Sequence, residues 1–205
     1  MCGLIMTVKI PLFPLNAVLF PDGLLPLRVF EQRYMDMATA CLKQGEDGVF
    51  GVCLIASGQE VGRPAEPHAV GTLARIAEWD MPQLGVLNLK ARGGQRFRIV
   101  ERRIEDSGLQ IATVELIADD TPLQLPDALH RLIPLMRTIL ADAASEAVPL
   151  PYRLDDAVWL GNRYAELLPI SLLAKQKLME IEDALLRVET IHQFLEEKGL
   201  LKQEH

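Results

Sequence analysis

The chain has 205 residues, of which 49% are hydrophobic and 24% charged; this balance excludes a disordered chain and supplies a core without a metal or disulfide staple. Its net charge of -7 repels nucleic acid and anionic membrane at long range. Three cysteines (Cys2, Cys41 and Cys53), odd in number and without a C-x-x-C pair, exclude a disulfide framework and read as reduced thiols, with Cys41 and Cys53 buried and inert.

Residues 1–9 lack the early positive charge and long apolar run of a signal peptide. No stretch reaches the ~18 apolar residues of a membrane span. A cytoplasmic location is therefore expected, with Met6 as an alternative start behind a short extension.

Strand patterns dominate the first half. Candidate strands cover residues 8–13, 24–29, 49–56, 69–77, 85–91, 95–104 and 110–117, punctuated by turn residues at 45–48, at Gly93-Gly94 and at 106–108. Within 95–104, Phe97 and Ile99 share one parity while Arg96, Arg98 and Arg102 share the other, as in a half-buried strand. One helix interrupts the strands: Tyr34, Met37, Ala38 and Cys41 follow Phe30 at helical spacing, and Gly45 is placed to end it.

The rhythm changes at Ala118-Asp-Asp-Thr-Pro122-Leu-Gln-Leu-Pro126, which divides a β-rich subdomain (1–120) from a helical one (121–205). Three helices are expected after it. The first, 127–143, contains Pro134, which denies the His130 carbonyl its helical partner and predicts a kink. The second, 155–168, is stopped by Pro169. The third is long, 172–198, capped by Ser171 and closed by Gly199, with a stripe of Leu178, Ile181, Leu185, Val188, Ile191 and Leu195. Segregated strands and helices indicate an α+β fold.

The motifs of catalysis are missing. The chain has no phosphate-cradling G-x-x-x-x-G-K-[ST], no G-x-G-x-x-G after a strand and no H-E-x-x-H. The histidines (His68, His130, His192 and His205) are scattered, so neither a metal nor a cofactor is expected. None of Ser57, Ser107, Ser145 and Ser171 sits in G-x-S-x-G. Ser171 and Lys175 share a helix face at the spacing of a serine–lysine dyad, but a capping serine explains the position by itself. The paired acids Asp119/Asp120, Asp155/Asp156, Glu180/Glu182 and Glu196/Glu197 read as linker, helix-start or surface charge. The basic cluster of Arg92, Arg96, Arg98 and Arg102, with Arg103 and Lys90, could hold phosphates. It lacks interleaved aromatics for base stacking, and Glu101, Glu105 and Asp106 lie close enough to pair with it.

The opening blocks Ile10-Pro-Leu-Phe-Pro-Leu15, Val18-Leu-Phe-Pro21 and Leu25-Pro-Leu-Arg-Val-Phe-Glu-Gln-Arg-Tyr34 resemble the start of the amino-terminal, substrate-recognising domain of the Lon protease family, a domain also found in cereblon-type proteins. Phe50-Gly-Val52, Val70-Gly-Thr-Leu-Ala-Arg-Ile76, Gly94-Gln-Arg-Phe-Arg98, Leu167-Leu-Pro169 and Lys175-Gln-Lys-Leu-Met-Glu180 continue the resemblance in order along nearly the whole chain. Read as structure, Phe13, Phe20 and Phe30 would be core anchors, and Gly71 and Gly94 would suit bulges or turns. The stretch from Glu78 to Gly85 departs from the family's tight acidic-glycine hairpin.

The resemblance implies a β-rich, PUA-like pseudobarrel with one inserted helix, followed by a helical subdomain ending in a long helix. It also implies a bacterial, non-catalytic module that binds unfolded or extended polypeptide. A separate Lon protease or a second copy of the chain would be a further partner. No position matches the family's ATPase or peptidase residues, so no enzymatic activity is expected. The alternative is RNA binding through the barrel, with Arg92, Arg96, Arg98 and Arg102 on phosphates; the overall acidity speaks against it.

Overall fold

β1 (Thr7–Leu15) is apolar on both faces from Ile10 onward, because that part is covered on both. Ile10 and Leu12 point into one buried cluster, Phe13 and Leu15 into another. The structure, a computed structural model, describes residues 7–141 and 148–201. Cys2, Met6, Ser145 and His205 lie outside these, as does the end of the helix expected at 127–143.

Six further strands follow: β2 (Leu24–Val29), β3 (Phe50–Ser57), β4 (Glu66–Pro67), β5 (Val70–Gln83), β6 (Val86–Ile104) and β7 (Gln110–Leu116). β1 pairs antiparallel with β7 through its first part and parallel with β3 through Leu12 to Leu15. β7, β6, β5 and β3 are antiparallel neighbours in that order, so five strands close into a ring. Closure removes the exposed edges of those strands. This α+β architecture is compatible with the expected pseudobarrel. Phe97 fills the ring interior with Ile10, Leu12, Cys53, Ala112 and Val114. Gly51 and Gly71 leave it room: a Cβ on either would come within 2.6 or 2.7 Å of Phe97 Cζ.

α1 (Gln32–Gln44) buries Tyr34, Met37, Ala38 and Cys41 in the second cluster, with Phe13, Leu15, Phe50, Leu87 and Leu89. The rings of Phe13 and Tyr34 stack at 4.0 Å. Gly45 ends the helix at φ 63°, the left-handed conformation that favours glycine.

Two strands separated by a Gly93-Gly94 turn were expected; β6 instead runs unbroken through both glycines. The glycine at 93 serves close approach. A Cβ there would collide with the Phe20 carbonyl, while its N–H donates to Gly23 O at 2.9 Å. Gly94 lies where the β5–β6 register slips, consistent with a bulge. At this point β6 exchanges β2 for β7 as its neighbour. The hairpin joining β5 to β6 turns on Leu84 and Gly85, the latter at φ 83°.

The chain divides after Asp119 into two compact units. The second contains α2 (Leu132–Ala141), α3 (Ala157–Leu167), α4 (Leu172–Glu180) and α5 (Ala184–Glu197). α2 starts later than expected, so Pro134 falls in its first turn, where no intrahelical N–H is needed; the His130 carbonyl accepts from Ile133 N at 3.0 Å. The single helix expected at 172–198 is two. Its apolar stripe stays in phase across the break, so periodicity could not reveal it. Asp183 competes for the backbone by accepting from Leu185 N and Leu186 N, and Arg187 supplies donors to Leu178 O and Ile181 O at the end of α4.

Candidate functional site

β2 and the start of α1 border a groove in the first unit. It is lined by Pro26, Leu27, Arg28, Val29 and Phe30, by Glu60 and Val61 between β3 and β4, and by Phe13, Leu15, Glu31 and Tyr34. Its volume is about 300 Å³. Phe30, read from its motif as a core anchor, is 53% exposed here, whereas Phe13 and Phe20 are buried. It follows the buried Val29 just as β2 ends, so its ring is carried outside the cluster that holds Val29. Glu31 pairs with Arg33 at 2.8 Å and accepts from Gly62 N, which ties the β3–β4 loop to the start of α1.

Pro26, Leu27 and Arg28 also border a second, shallower cleft with Glu78, Trp79 and Asp80 of β5 and Asn88, Leu89 and Lys90 of β6. Beyond it the β5–β6 hairpin carries exposed apolar side chains: Trp79 is 57% exposed, Leu84 at the tip 97%, and Met81 is exposed between them. Apolar surface that no neighbour covers is unusual on a monomer when it is contiguous. Sequence reasoning missed Phe30, Val61, Trp79 and Leu84 as surface. The available signal was Leu84, a large apolar residue in a two-residue turn, where polar residues are the rule.

The four arginines singled out in the sequence do not share one open face. Arg96 is only 4% exposed. Arg92 pairs with Asp22 at 3.2 Å. Arg102 pairs with Glu66 and donates to Gln110 and the Ala65 carbonyl. Arg98 is exposed. Nearby, Lys90 pairs with Glu78 and Arg103 with Glu105. A phosphate would compete with carboxylates already in place at Arg92 and Arg102.

Ser171 caps α4 by accepting from Ala174 N at 3.2 Å, and Lys175 Nζ donates to the Glu166 carbonyl. Burial lowers the Lys175 ammonium and raises the Glu166 carboxyl, and each partially restores the other. Burial also pushes the Cys53 thiol up to about 12, with Arg102 acting weakly against it. Cys53 should therefore resist alkylation at pH 8 in the folded protein and react only after denaturation, as peptide-resolved mass spectrometry would show. Rapid labelling of the native protein at Cys53 would refute its burial in the ring. Among the described residues no helix is long and apolar enough to cross a membrane.

Known proteins share this architecture. A family model of the ATP-dependent protease La (LON) substrate-binding domain matches residues 9–197. Lon protease 1 of Bdellovibrio bacteriovorus is 27% identical over 84% of this chain and 22% of its own length. Lon protease 2 of Herpetosiphon aurantiacus is 27% identical over 97% of this chain and 25% of its own. The chain thus spans 22–25% of the length of these curated relatives. Among solved structures, a Lon N-terminal domain protein from Xanthomonas campestris superposes with a TM-score of 0.76 at 35% identity, covering 91% of this chain and 98% of that one. The N-terminal domain of a Mycobacterium avium complex Lon protease shares the fold, with a TM-score of 0.65 at 16% identity over 92% of this chain and 98% of that one. With a match running from β1 to the end of α5, the chain belongs to the family of the ATP-dependent protease La (LON) substrate-binding domain.

Proposed function

We propose that this domain recognises unfolded or extended polypeptide and performs no covalent chemistry itself. The observation that carries this reading is the apolar surface around β2, where the Phe30–Val61 groove and the Trp79 cleft share Pro26, Leu27 and Arg28. A folded partner presents few apolar side chains to such a surface, whereas an unfolded chain presents many. A separate Lon protease receiving the captured chain, or self-association through the same surface, are the partner arrangements this reading supports. Two free, buried cysteines fit a cytoplasmic location.

The test is a titration with a fluorescent unfolded protein, using a labelled RNA oligomer in parallel. Saturable binding of the polypeptide that survives added salt is the expected result. Trp79 and Trp159 are the two tryptophans, and Trp159 is buried in α3. A Trp159→Phe variant therefore leaves Trp79 as the reporter, and its emission should shift to the blue as polypeptide covers it. RNA binding that falls steeply with salt would instead move the function to Arg92, Arg96, Arg98 and Arg102. Binding of neither would overturn both readings.

A further inference from the structure

The outer edge of β2 has no strand beside it among the described residues. Two bonds settle which way its backbone points. Gly93 N donates to Gly23 O at 2.9 Å and Gly93 O accepts from Asp22 N at 2.9 Å, so residues 22 and 23 bulge opposite 93 and the bonding phase of the ladder starts at the Gly23 carbonyl. Antiparallel alternation then assigns the bonds to β6 to Leu25, Leu27 and Val29. The N–H and C=O groups of Leu24 and Arg28, and the C=O of Pro26, point away from β6. No described group of the protein bonds them.

The groove lies on this same edge. Successive residues from Pro26 to Phe30 all border it. Neighbouring residues of a strand point to opposite faces, and a groove along the unpaired edge of β2 is bordered by both sets. Glu60 also lines it; its carboxylate accepts from the Asn16 amide at 3.0 Å and has no cation within ion-pair distance among the described residues.

We propose that β2 accepts an added strand: an extended polypeptide segment bonds the outward backbone of Leu24 and Arg28, lays an apolar side chain between Phe30 and Val61, and offers a basic side chain to Glu60. This rests on the polypeptide-recognition reading above and assigns it a binding mode, main-chain pairing with one side-chain pocket. Pro26 fits the same account. Its missing N–H falls on the outward side, where it costs β2 no bond to β6 but leaves a gap in any added ladder. The edge is thereby blunted against permanent pairing and suited to reversible capture.

The probe is a fluorescein-labelled peptide of alternating valine and threonine with a central Phe-Lys pair. Arg28→Pro removes an outward amide without touching the bonds to β6, and Arg28→Ala controls for the side chain. Arg28→Pro should weaken binding roughly tenfold, with Arg28→Ala within about twofold of the parent. Pro26→Ala supplies the missing donor and should tighten binding several-fold, a gain that misfolding cannot imitate. Glu60→Lys should weaken the Phe-Lys peptide and favour one with Phe-Glu. N-methylation of alternate peptide amides should block binding in one phase and spare it in the other. If the peptide binds but Arg28→Pro, Pro26→Ala and both methylation phases leave its affinity unchanged, strand addition is overturned while polypeptide recognition stands. If neither the peptide nor unfolded protein binds, both fall together.

Discussion

Replacing Arg187 with alanine should destabilise the helical unit by about 3–5 kcal/mol, a large share of the ~5–15 kcal/mol of a typical domain. The side chain is 1% exposed. Its Nε donates to Leu178 O at 3.1 Å and its Nη2 to Ile181 O at 2.6 Å, while Nη1 lies 3.2 Å from Asp120 Oδ2 and 3.0 Å from Asn162 Oδ1. One guanidinium thus serves the end of α4, a residue of α3 and the acid that begins the unit. Alanine would leave buried carbonyls and a mostly buried carboxylate without these donors, and that desolvation penalty dominates the cost. Arg187→Met keeps most of the volume but none of the donors, so it should recover packing only. Arg187→Lys keeps the charge but cannot match the planar fork. Urea denaturation followed through the buried Trp159 would measure the loss in this unit. A change below about 1 kcal/mol for Arg187→Ala would show that the break between α4 and α5 holds without it.

Phe97→Ala should cost a comparable ~3–5 kcal/mol, this time by emptying the ring. Phe97 is fully buried, and no other aromatic side chain belongs to its cluster among the described residues. The glycine opposite gives a sharper test. A Cβ on Gly51 would meet the side-chain ends of Phe97, Leu12 and Ile10 at 2.6, 2.8 and 2.9 Å, so Gly51→Ala should cost about 1–3 kcal/mol by overpacking. In a Phe97→Leu background that cost should shrink, because the closest atom is gone. Additive losses in the double-mutant cycle would mean that the two positions do not compete for the same space. The ring matters for function because β6 is shared: residues 97–104 of β6 close the ring with β7, and residues 87–92 hold β2.

Much of this fold was legible in the sequence because its causes are local. The strand runs that form β1 and β7, the stripe of α1, and the caps at Gly45 and Ser171 depend on residues a few positions apart. The ordered blocks from Ile10 to Glu180 carried the family for the same reason, since each is a short run with its own spacing.

Tertiary structure decided what depends on distant partners. Parity places Arg96 opposite Phe97 on a strand, but only the neighbouring strands determine that both are buried. Gly93-Gly94 has the composition of a turn and proved to be a close approach, because Phe20 and Gly23 arrive there from far back in the chain. The phase of the stripe from Leu178 to Leu195 is silent about a break that Asp183 and a buried arginine stabilise. The candidate site was least legible of all. An open strand edge beside an apolar groove is defined by which backbone groups remain unpaired after every other strand has found its neighbour, and no local pattern of side chains records that.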